Sequence, residues 1–205
     1  MLIDSGRRIG DPVPMTIILV HGIWDCGASM EGLARRLSSE GHRCLTPSLV
    51  PSDRSQGIPE LAGQLLELIE ESLSGAERFV IVGFSLGAIV VRYYLQMLGG
   101  HRRARAYVSI CGPHAGTVTA WLGWSRVARQ LRPESDLLTE LDRTGEVLGS
   151  LPKICYWNRF DLMILPGRSA LWSGAEAVET PAIWHKGTLS SRVLFRDLAE
   201  RMVRW

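Results

Sequence analysis

The segment GFSLG, residues 83–87, has the form G-x-S-x-G, in which the central serine is suited to act as a nucleophile. An apolar, β-branched run, RFVIV at residues 78–82, leads into it, and an apolar helical pattern leads out. A sharp strand–turn–helix of this kind exposes the serine hydroxyl. Gly83 and Gly87 would let the strand and the helix pass closely. An ordinary turn with a capping serine is the alternative, but this context favours Ser85 as a nucleophile.

A serine nucleophile requires a base, and three histidines follow Ser85 in the chain. In hydrolases with this motif an acid comes next and the histidine last. His185 lies between the last predicted strand and the closing helix, which is the place expected for the base. His101 lies in a polar loop, HRRAR, on the face away from the serine. His114 follows a strand but comes too early to follow an acid, so His185 is the predicted base.

The acid that orients the histidine is expected just after the strand that precedes it. Asp161 follows the predicted strand at residues 154–157 and is therefore the predicted acid. Glu176 and Glu179 are its main rivals. The other downstream aspartates lie in an irregular segment or on the solvated face of the closing helix: Asp136, Asp142 and Asp197.

A glycine-assisted turn, HGIW at residues 21–24, follows the first buried strand. Backbone N–H groups at such a turn can hold the oxyanion that forms during acyl transfer. The predicted donors are the N–H groups of Ile23 and of Leu86. His21 precedes the nucleophile, so its imidazole is expected to be satisfied by backbone groups and not to act as a base.

The elements that must position these residues alternate between strand and helix. Residues 15–20 are apolar without alternation, which is typical of a strand covered on both faces, and residues 79–82 and 105–110 are two further predicted strands. Helical spacing marks residues 30–39, 59–73, 86–98, 120–131 and 188–203, and the last strand is expected to end at 182–184. Alternation of this kind predicts the α/β class, a three-layer α/β/α sandwich with a mainly parallel sheet of about six strands.

Composition limits the classes of function. The 205 residues are 46% hydrophobic and 21% charged, which fits a single globular domain, residues 1–205. A net charge of +2 gives no broad field for nucleic acid. Arg7 and Arg8 are not followed by the apolar segment of a signal peptide, and no apolar run is long enough for stable membrane insertion. A cytoplasmic location is therefore expected, although a secreted mature form is compatible.

Four cysteines stand alone, with no spacing typical of a zinc site. Reduced and mostly buried thiols are expected. A disulfide in an exported protein is the alternative.

Four segments resemble the lipase and esterase branch of the α/β-hydrolases: ILVHGIWD, VGFSLGAIVVRYYL, CGPHAGTVTAWLG and NRFDLMILPGRSALW. The third segment departs from the family's G-T-P-H-x-G pattern, with Cys111 at its start and the threonine missing. The resemblance implies a minimal α/β-hydrolase fold. It also implies cleavage of a small-molecule or lipid ester through an acyl-enzyme, without a metal or an organic cofactor.

Residues 117–150 are the segment that could supply a cap or an acyl pocket. Trp121 and Trp124, with Trp24, are candidates for the pocket wall, and core packing is the alternative for the apolar stripe at 121–131. The same triad also serves thioesterases, amidases and acyltransferases, and a related fold can bind a ligand without catalysis. Acyl-chain length and oligomeric state stay open.

Overall fold

One parallel sheet of six strands organises the chain. The computed structural model describes residues 14–50 and 55–205. Every neighbouring pair of strands is parallel, and the strand order is β2-β1-β3-β4-β5-β6. The strands are β1 Thr16–Val20, β2 Arg43–Leu45, β3 Phe79–Phe84, β4 Ala104–Ile110, β5 Lys153–Trp157 and β6 Glu176–Glu179. The loops that follow the strands therefore leave the same edge of the sheet, where ligand sites of open α/β sheets lie.

The helices connect these strands. They are α1 Glu31–Ser39, α2 Ile58–Ser72, α3 Leu86–Met97, α4 Arg126–Gln130, α5 Asp136–Arg143 and α6 Arg192–Met202. Short 3₁₀ helices occupy Gly27–Met30, Gly100–Arg102, Val118–Leu122, Gly145–Leu148, Gly167–Ala170 and Lys186–Ser190. The helix predicted at 59–73 is confirmed as α2, and its first turn is closed by Glu60, whose Oε2 accepts the N–H of Gly57 at 3.1 Å.

Alternate side chains of the strands point to opposite faces of the sheet and build two cores. On one face Ile18 and Ile81 pack with the apolar sides of α2 and α3. On the other face Ile17 and Val82 pack with α1 and α6. Each fully buried aliphatic side chain contributes about 1.5–3 kcal/mol, so both faces of the sheet must stay covered. The predicted three-layer sandwich is confirmed.

Three predicted elements differ from the structure. The closing helix predicted at 188–203 begins as α6 only at Arg192, after a 3₁₀ helix at Lys186–Ser190. The last strand does not end at 182–184 but is β6, Glu176–Glu179. β6 lies at the edge of the sheet and is largely exposed. Its sequence EAVE therefore has no apolar run from which a strand could be predicted. The helix predicted at 120–131 is divided into a 3₁₀ helix and α4. Trp121 and Trp124 in its first part are exposed, whereas Val127 and Leu131 in its second part are buried in the core.

The four cysteines are unpaired in the structure; Cys111 and Cys155 are buried, Cys44 is half-buried and Cys26 is exposed. No helix in residues 14–50 and 55–205 has the length and apolar character needed to cross a membrane. Residues 1–13, with Arg7 and Arg8, lie outside the described residues, as do residues 51–54.

Candidate active site

Ser85 lies in a sharp turn between the end of β3 and the start of α3, as the motif predicts. Its φ of 55° and ψ of −123° put it in a region that residues other than glycine rarely adopt. Strained backbone of this kind persists only where the surrounding fold imposes it, and it is concentrated at functional sites. The N–H of Ser85 donates to the carbonyl of Ile110 on the neighbouring strand at 2.8 Å, which anchors the turn to the sheet.

Close backbone approaches around this turn explain its glycines. A Cβ at Gly83 would lie 2.4 Å from the Cα of Ala88, and one at Gly87 would lie 2.3 Å from the carbonyl oxygen of His21. A Cβ at Gly22 would lie 3.1 Å from the Cβ of Ser85. The turn is therefore packed against the loop after β1, and that loop passes directly beside the serine.

Asp161 and His185 form a hydrogen-bonded pair. The Nδ1 of His185 lies 2.6 Å from Oδ2 of Asp161, while Oδ1 accepts the backbone N–H groups of Met163 at 2.8 Å and of Ile164 at 3.0 Å. Burial by itself raises the pKa of the Asp161 carboxyl, but the hydrogen bond and charge of His185 and the two N–H groups outweigh it. The net pKa is lowered, so the carboxylate form is favoured.

Asn158, which sequence reasoning missed, holds the loop that carries Asp161. Its Oδ1 accepts the N–H of Phe160 at 2.9 Å, forming a local turn after β5. Its Nδ2 donates to the carbonyl of Trp184 at 3.5 Å, the residue before His185. One amide thus links the acid-bearing loop to the histidine-bearing loop.

The imidazole of His185 packs on Phe84, the residue directly before Ser85. The ring centroids are 4.7 Å apart and the planes meet at 36°. Nε2 of His185 is buried and has no hydrogen-bond partner in the described part of the chain. The hydroxyl of Ser85 is therefore not hydrogen-bonded to it. Lys186 pairs with Asp25 at 2.7 Å and ties this loop to the loop after β1. Ser85, Asp161 and His185 thus lie at one edge of the sheet, and within the described residues Nε2 of His185 is left without a hydrogen bond.

His21 is satisfied by backbone groups, as predicted. Its Nε2 accepts the N–H of Leu49 at 2.9 Å, and its Nδ1 lies 2.8 Å from the carbonyl of Gly22. Because Nε2 accepts, the ring proton lies on Nδ1 and is donated to Gly22. His21 therefore fixes the loop that carries Ile23. Leu86 is the first residue of α3, so its N–H has no acceptor within the helix.

The other histidines considered from sequence lie in different surroundings. The Nδ1 of His101 lies 2.8 Å from the carbonyl oxygen of Leu95. His114 is buried, with its Nε2 2.8 Å from the hydroxyl of Ser109 and its ring stacked on Trp172. Burial, and then the charge of Arg92, lower the pKa of His114 well below its usual range. Among the described residues, neither histidine is paired with a carboxylate.

The rival carboxylates pair with cations or hydroxyls outside the site. Glu179 pairs with Arg159 and Glu176 with Arg201. Asp142 pairs with Arg92, and Asp197 accepts from Tyr156 and Arg201. Asp136 lies in the first turn of α5, where a carboxylate favours the helix dipole.

Cys111, which the sequence marked only as a departure from a pattern, lies beside the pair. Its Sγ, a carboxylate oxygen of Asp161 and a ring nitrogen of His185 all lie within 4.8 Å of one another, a spacing at which three side chains can hold a metal ion. The facing atoms of Asp161 and His185 are already joined by a hydrogen bond. The group therefore fits a hydrogen-bonded cluster better than a metal site.

Large apolar side chains are exposed on the loops that leave this same edge of the sheet. We call them the apolar rim: Trp24 after β1; Trp121, Leu122 and Trp124 after β4; Phe160 and Leu162 after β5; and Ile183 and Trp184 after β6. Thr119 donates to the carbonyl of Met163 at 2.7 Å and joins two of these loops. Contiguous exposed apolar patches are typical of binding surfaces. The three tryptophans considered for an acyl pocket are all members of the rim.

Comparison with known proteins identifies the family. The model of the alpha/beta hydrolase fold matches residues 16–135, more than half of the chain, so the chain belongs to that family. No curated protein sequence matches significantly.

Solved structures of lipases share the fold at low sequence identity. The mature lipase BlEst2 of Bacillus licheniformis superposes with a TM-score of 0.75 at 14% identity, over 97% of this chain and 94% of that one. Lipase B of Aspergillus fumigatus gives 0.72 at 16%, over 92% of this chain and 52% of that one. An extracellular alpha/beta-hydrolase of a Paenibacillus species gives 0.62 at 17%, over 93% and 98%. These likenesses show the fold.

Proposed function

We propose that this protein is a serine hydrolase that cleaves carboxylic esters through an acyl-enzyme on Ser85. His185 is the base and Asp161 the residue that orients it. One observation carries the proposal: the imidazole that Asp161 holds at 2.6 Å packs on Phe84, next to a serine in a strained strand–helix turn, and keeps Nε2 open. These are the parts that a triad needs, from three separate segments of the chain.

In the first chemical step the hydroxyl of Ser85 loses its proton to Nε2 of His185, and Oγ bonds to the carbonyl carbon of the ester. Asp161 stabilises the imidazolium and keeps the tautomer in which Nε2 can accept. His185 then gives the proton to the leaving alkoxide, and the C–O bond breaks. A water molecule releases the acid by the same route in reverse. Hydrogen bonds of this kind are often long before substrate binds, which accords with the open Nε2.

The backbone N–H groups of Ile23 and Leu86 are the proposed oxyanion donors. Leu86 begins α3, where the helix dipole favours negative charge. Ile23 follows Gly22, whose close approach to Ser85 brings the loop to the serine. His21 holds that loop by two hydrogen bonds. A preformed donor of this kind typically lowers the barrier by about 3–4 kcal/mol.

The apolar rim supports esters with an apolar acyl group as the substrate class. Trp24 lies beside the proposed oxyanion loop, and Trp184 precedes His185 directly. An acyl chain that leaves the serine along this rim would contact side chains that water otherwise covers. Each methylene removed from water favours binding by about 0.8 kcal/mol.

The test is hydrolysis of p-nitrophenyl esters from acetyl to palmitoyl, by the natural protein and by Ser85→Ala. We expect turnover that falls by a factor of roughly 10⁴ or more in Ser85→Ala, since loss of the nucleophile leaves little more than binding and the oxyanion donors. A fluorophosphonate should label the natural protein and not the variant. Equal turnover in both proteins would contradict the proposal.

If no ester of the panel is hydrolysed while the fluorophosphonate still labels Ser85, the reaction would be hydrolysis of a thioester or an amide, or an acyl transfer. Addition of an alcohol or thiol acceptor then separates hydrolysis from transfer. Failure of both the labelling and the hydrolysis would favour a protein that binds without catalysis.

A further inference from the structure

Asp25 carries a largely buried carboxylate on the loop after β1, two residues beyond Ile23. Its side chain is 13% exposed, and its Oδ2 is buried and accepts no hydrogen bond from any described residue. A buried carboxylate is stable only when a positive charge or several donors compensate for the water it has lost. Lys186 supplies a positive charge, since its Nζ lies 2.7 Å from Oδ2. The contact is therefore ionic.

Lys186 directly follows His185, so the ion pair joins the histidine loop to the loop after β1. The side chain of Lys186 is 63% exposed, whereas that of Asp25 is not. Ion pairs between two solvated side chains contribute little to stability. Here one partner is buried, and loss of the other would leave a charge without compensation. The position of Asp25 therefore depends on Lys186.

Two anchors hold the loop on either side of Asp25. On one side the ring of His21 is held by two hydrogen bonds to backbone groups. On the other side the N–H of Gly27 donates to Oγ of Ser48 at 3.0 Å. Between them Trp24 has a φ of 56°, a left-handed value that a residue other than glycine adopts at a cost. Such strain persists only where the surroundings impose it, and the Asp25–Lys186 pair is a contact that acts between the two anchors.

We propose that Asp25 and Lys186 are positioning residues that hold the N–H of Ile23 at a fixed place relative to His185. The inference rests on the proposed function, in which Ile23 is an oxyanion donor and His185 is the base. The N–H of Ile23 makes no hydrogen bond within the described residues, so its direction depends on how the loop is held. An oxyanion donor lowers the barrier when it is aimed before the charge develops.

The two single variants should differ in the size of their effect. In Lys186→Met the buried carboxylate of Asp25 loses its cation, so it turns toward water or binds a proton, and either change releases the segment that carries Ile23. In Asp25→Asn the isosteric amide stays in place, and the exposed ammonium of Lys186 is solvated at little cost. The double variant lacks the unpaired buried charge and should therefore be more active than Lys186→Met.

The experiment measures kcat and KM of these variants on the ester that the natural protein hydrolyses fastest. We expect kcat to fall roughly tenfold in Lys186→Met, less than the roughly 10²–10³-fold loss of a whole oxyanion donor, and roughly threefold in Asp25→Asn. KM should stay within about twofold, because the oxyanion develops only in the transition state. Lys186→Arg keeps the positive charge, so its kcat should stay close to the natural value.

Glu70→Gln is the matched control. It breaks an ion pair of the same length, since Oε1 of Glu70 lies 2.7 Å from Nη1 of Arg103. Arg103 precedes β4, so this pair lies at the edge of the sheet opposite to Ser85. Its kcat should equal that of the natural protein. A loss in Glu70→Gln as large as that in Lys186→Met would overturn the proposal, because it would reflect a general loss of stability.

A second measurement needs no substrate and separates this inference from the proposed function. The ¹⁵N order parameter of Ile23 should be about 0.85 in the natural protein, the value of rigid backbone, and should fall toward about 0.6 in Lys186→Met. If no ester is hydrolysed and Ser85 is not labelled, the proposed function fails, and the order parameter still tests whether the ion pair holds Ile23.

Three further results would overturn the proposal. The first is a kcat within about twofold of the natural value in both single variants. The second is a double variant whose loss is the product of the two single losses, since the partners would then act independently. The third is an order parameter of Ile23 that is the same in Lys186→Met as in the natural protein. If Lys186→Met does not fold, Asp25→Asn supplies the variant without the ion pair.

Discussion

The Nδ1 of His185 lies 2.6 Å from Oδ2 of Asp161, although 24 residues separate the two in the chain. Oδ1 of the same carboxylate accepts the N–H groups of Met163 and Ile164, so the carboxylate has a fixed orientation. The hydrogen bond places the ring proton on Nδ1 and leaves Nε2 as an acceptor. In the proposed mechanism, this arrangement lets Nε2 accept the proton of Ser85.

Asp161→Asn should reduce ester turnover by a factor of roughly 10⁴. The amide can offer an N–H to Nδ1, which favours the tautomer with its proton on Nε2, where the base must accept. The measurement is kcat on the best p-nitrophenyl ester. Glu179→Gln is the matched control, since Glu179 is a rival acid that pairs with Arg159 on the exposed edge strand β6. Equal losses in the two variants would refute the assignment of Asp161.

Gly87→Ala should destabilise the fold by several kcal/mol or prevent folding. Its Cβ would lie 2.3 Å from the carbonyl oxygen of His21, so two backbone segments would have to move apart. Gly63→Ala is the control: Gly63 lies within α2, and a Cβ there meets nothing within 4 Å. That variant should gain about 0.5–1 kcal/mol. Urea unfolding measures both, and a tolerated Gly87→Ala would show that the turn is looser than described.

The stability that Asp161 confers should depend on pH in one direction. Its pKa is lower in the folded protein than the ordinary value of about 3.9, so the unfolded chain binds the proton more readily. The contribution is fully present above the unfolded value and is lost as pH falls through the folded value. The free energy of unfolding of the natural protein should therefore approach that of Asp161→Asn below about pH 4. Urea unfolding of both proteins from pH 6 to 3 measures this gap, and a constant gap would contradict the prediction.

Removal of two members of the apolar rim should change chain-length preference and leave stability unaltered. Leu122 and Trp124 are 86% and 85% exposed, so Leu122→Ser with Trp124→Ser should alter the free energy of unfolding by less than about 0.5 kcal/mol each. The ratio of kcat/KM for long esters to that for acetate should fall roughly three- to tenfold, or about 1 kcal/mol of lost apolar contact. Val203→Ser, at an exposed apolar position just after α6, is the control. An unchanged ratio would exclude these two side chains from substrate binding.

Several parts of this molecule can be predicted from local pattern. The runs that form β1 and β3 are apolar on both faces, and only a doubly covered sheet buries them. GFSLG predicts the turn at Ser85, because two glycines and a following helix meet there. The order of Ser85, Asp161 and His185 selects one acid and one base among several of each. β6 escapes prediction because an exposed edge strand carries no apolar signal.

The sequence by itself determined the α/β class, the serine and the identity of its two candidate partners, because hydrophobic period and residue order are local properties of the chain. Only the tertiary structure decided that His185 packs on Phe84, that Asn158 joins the acid loop to Trp184, and that Cys111 adopts a left-handed φ beside Asp161. It also decided that Trp121 and Trp124 face solvent while Val127 lies in the core. These relations arise between segments far apart in the chain, and the packing of the sheet against its helices sets them.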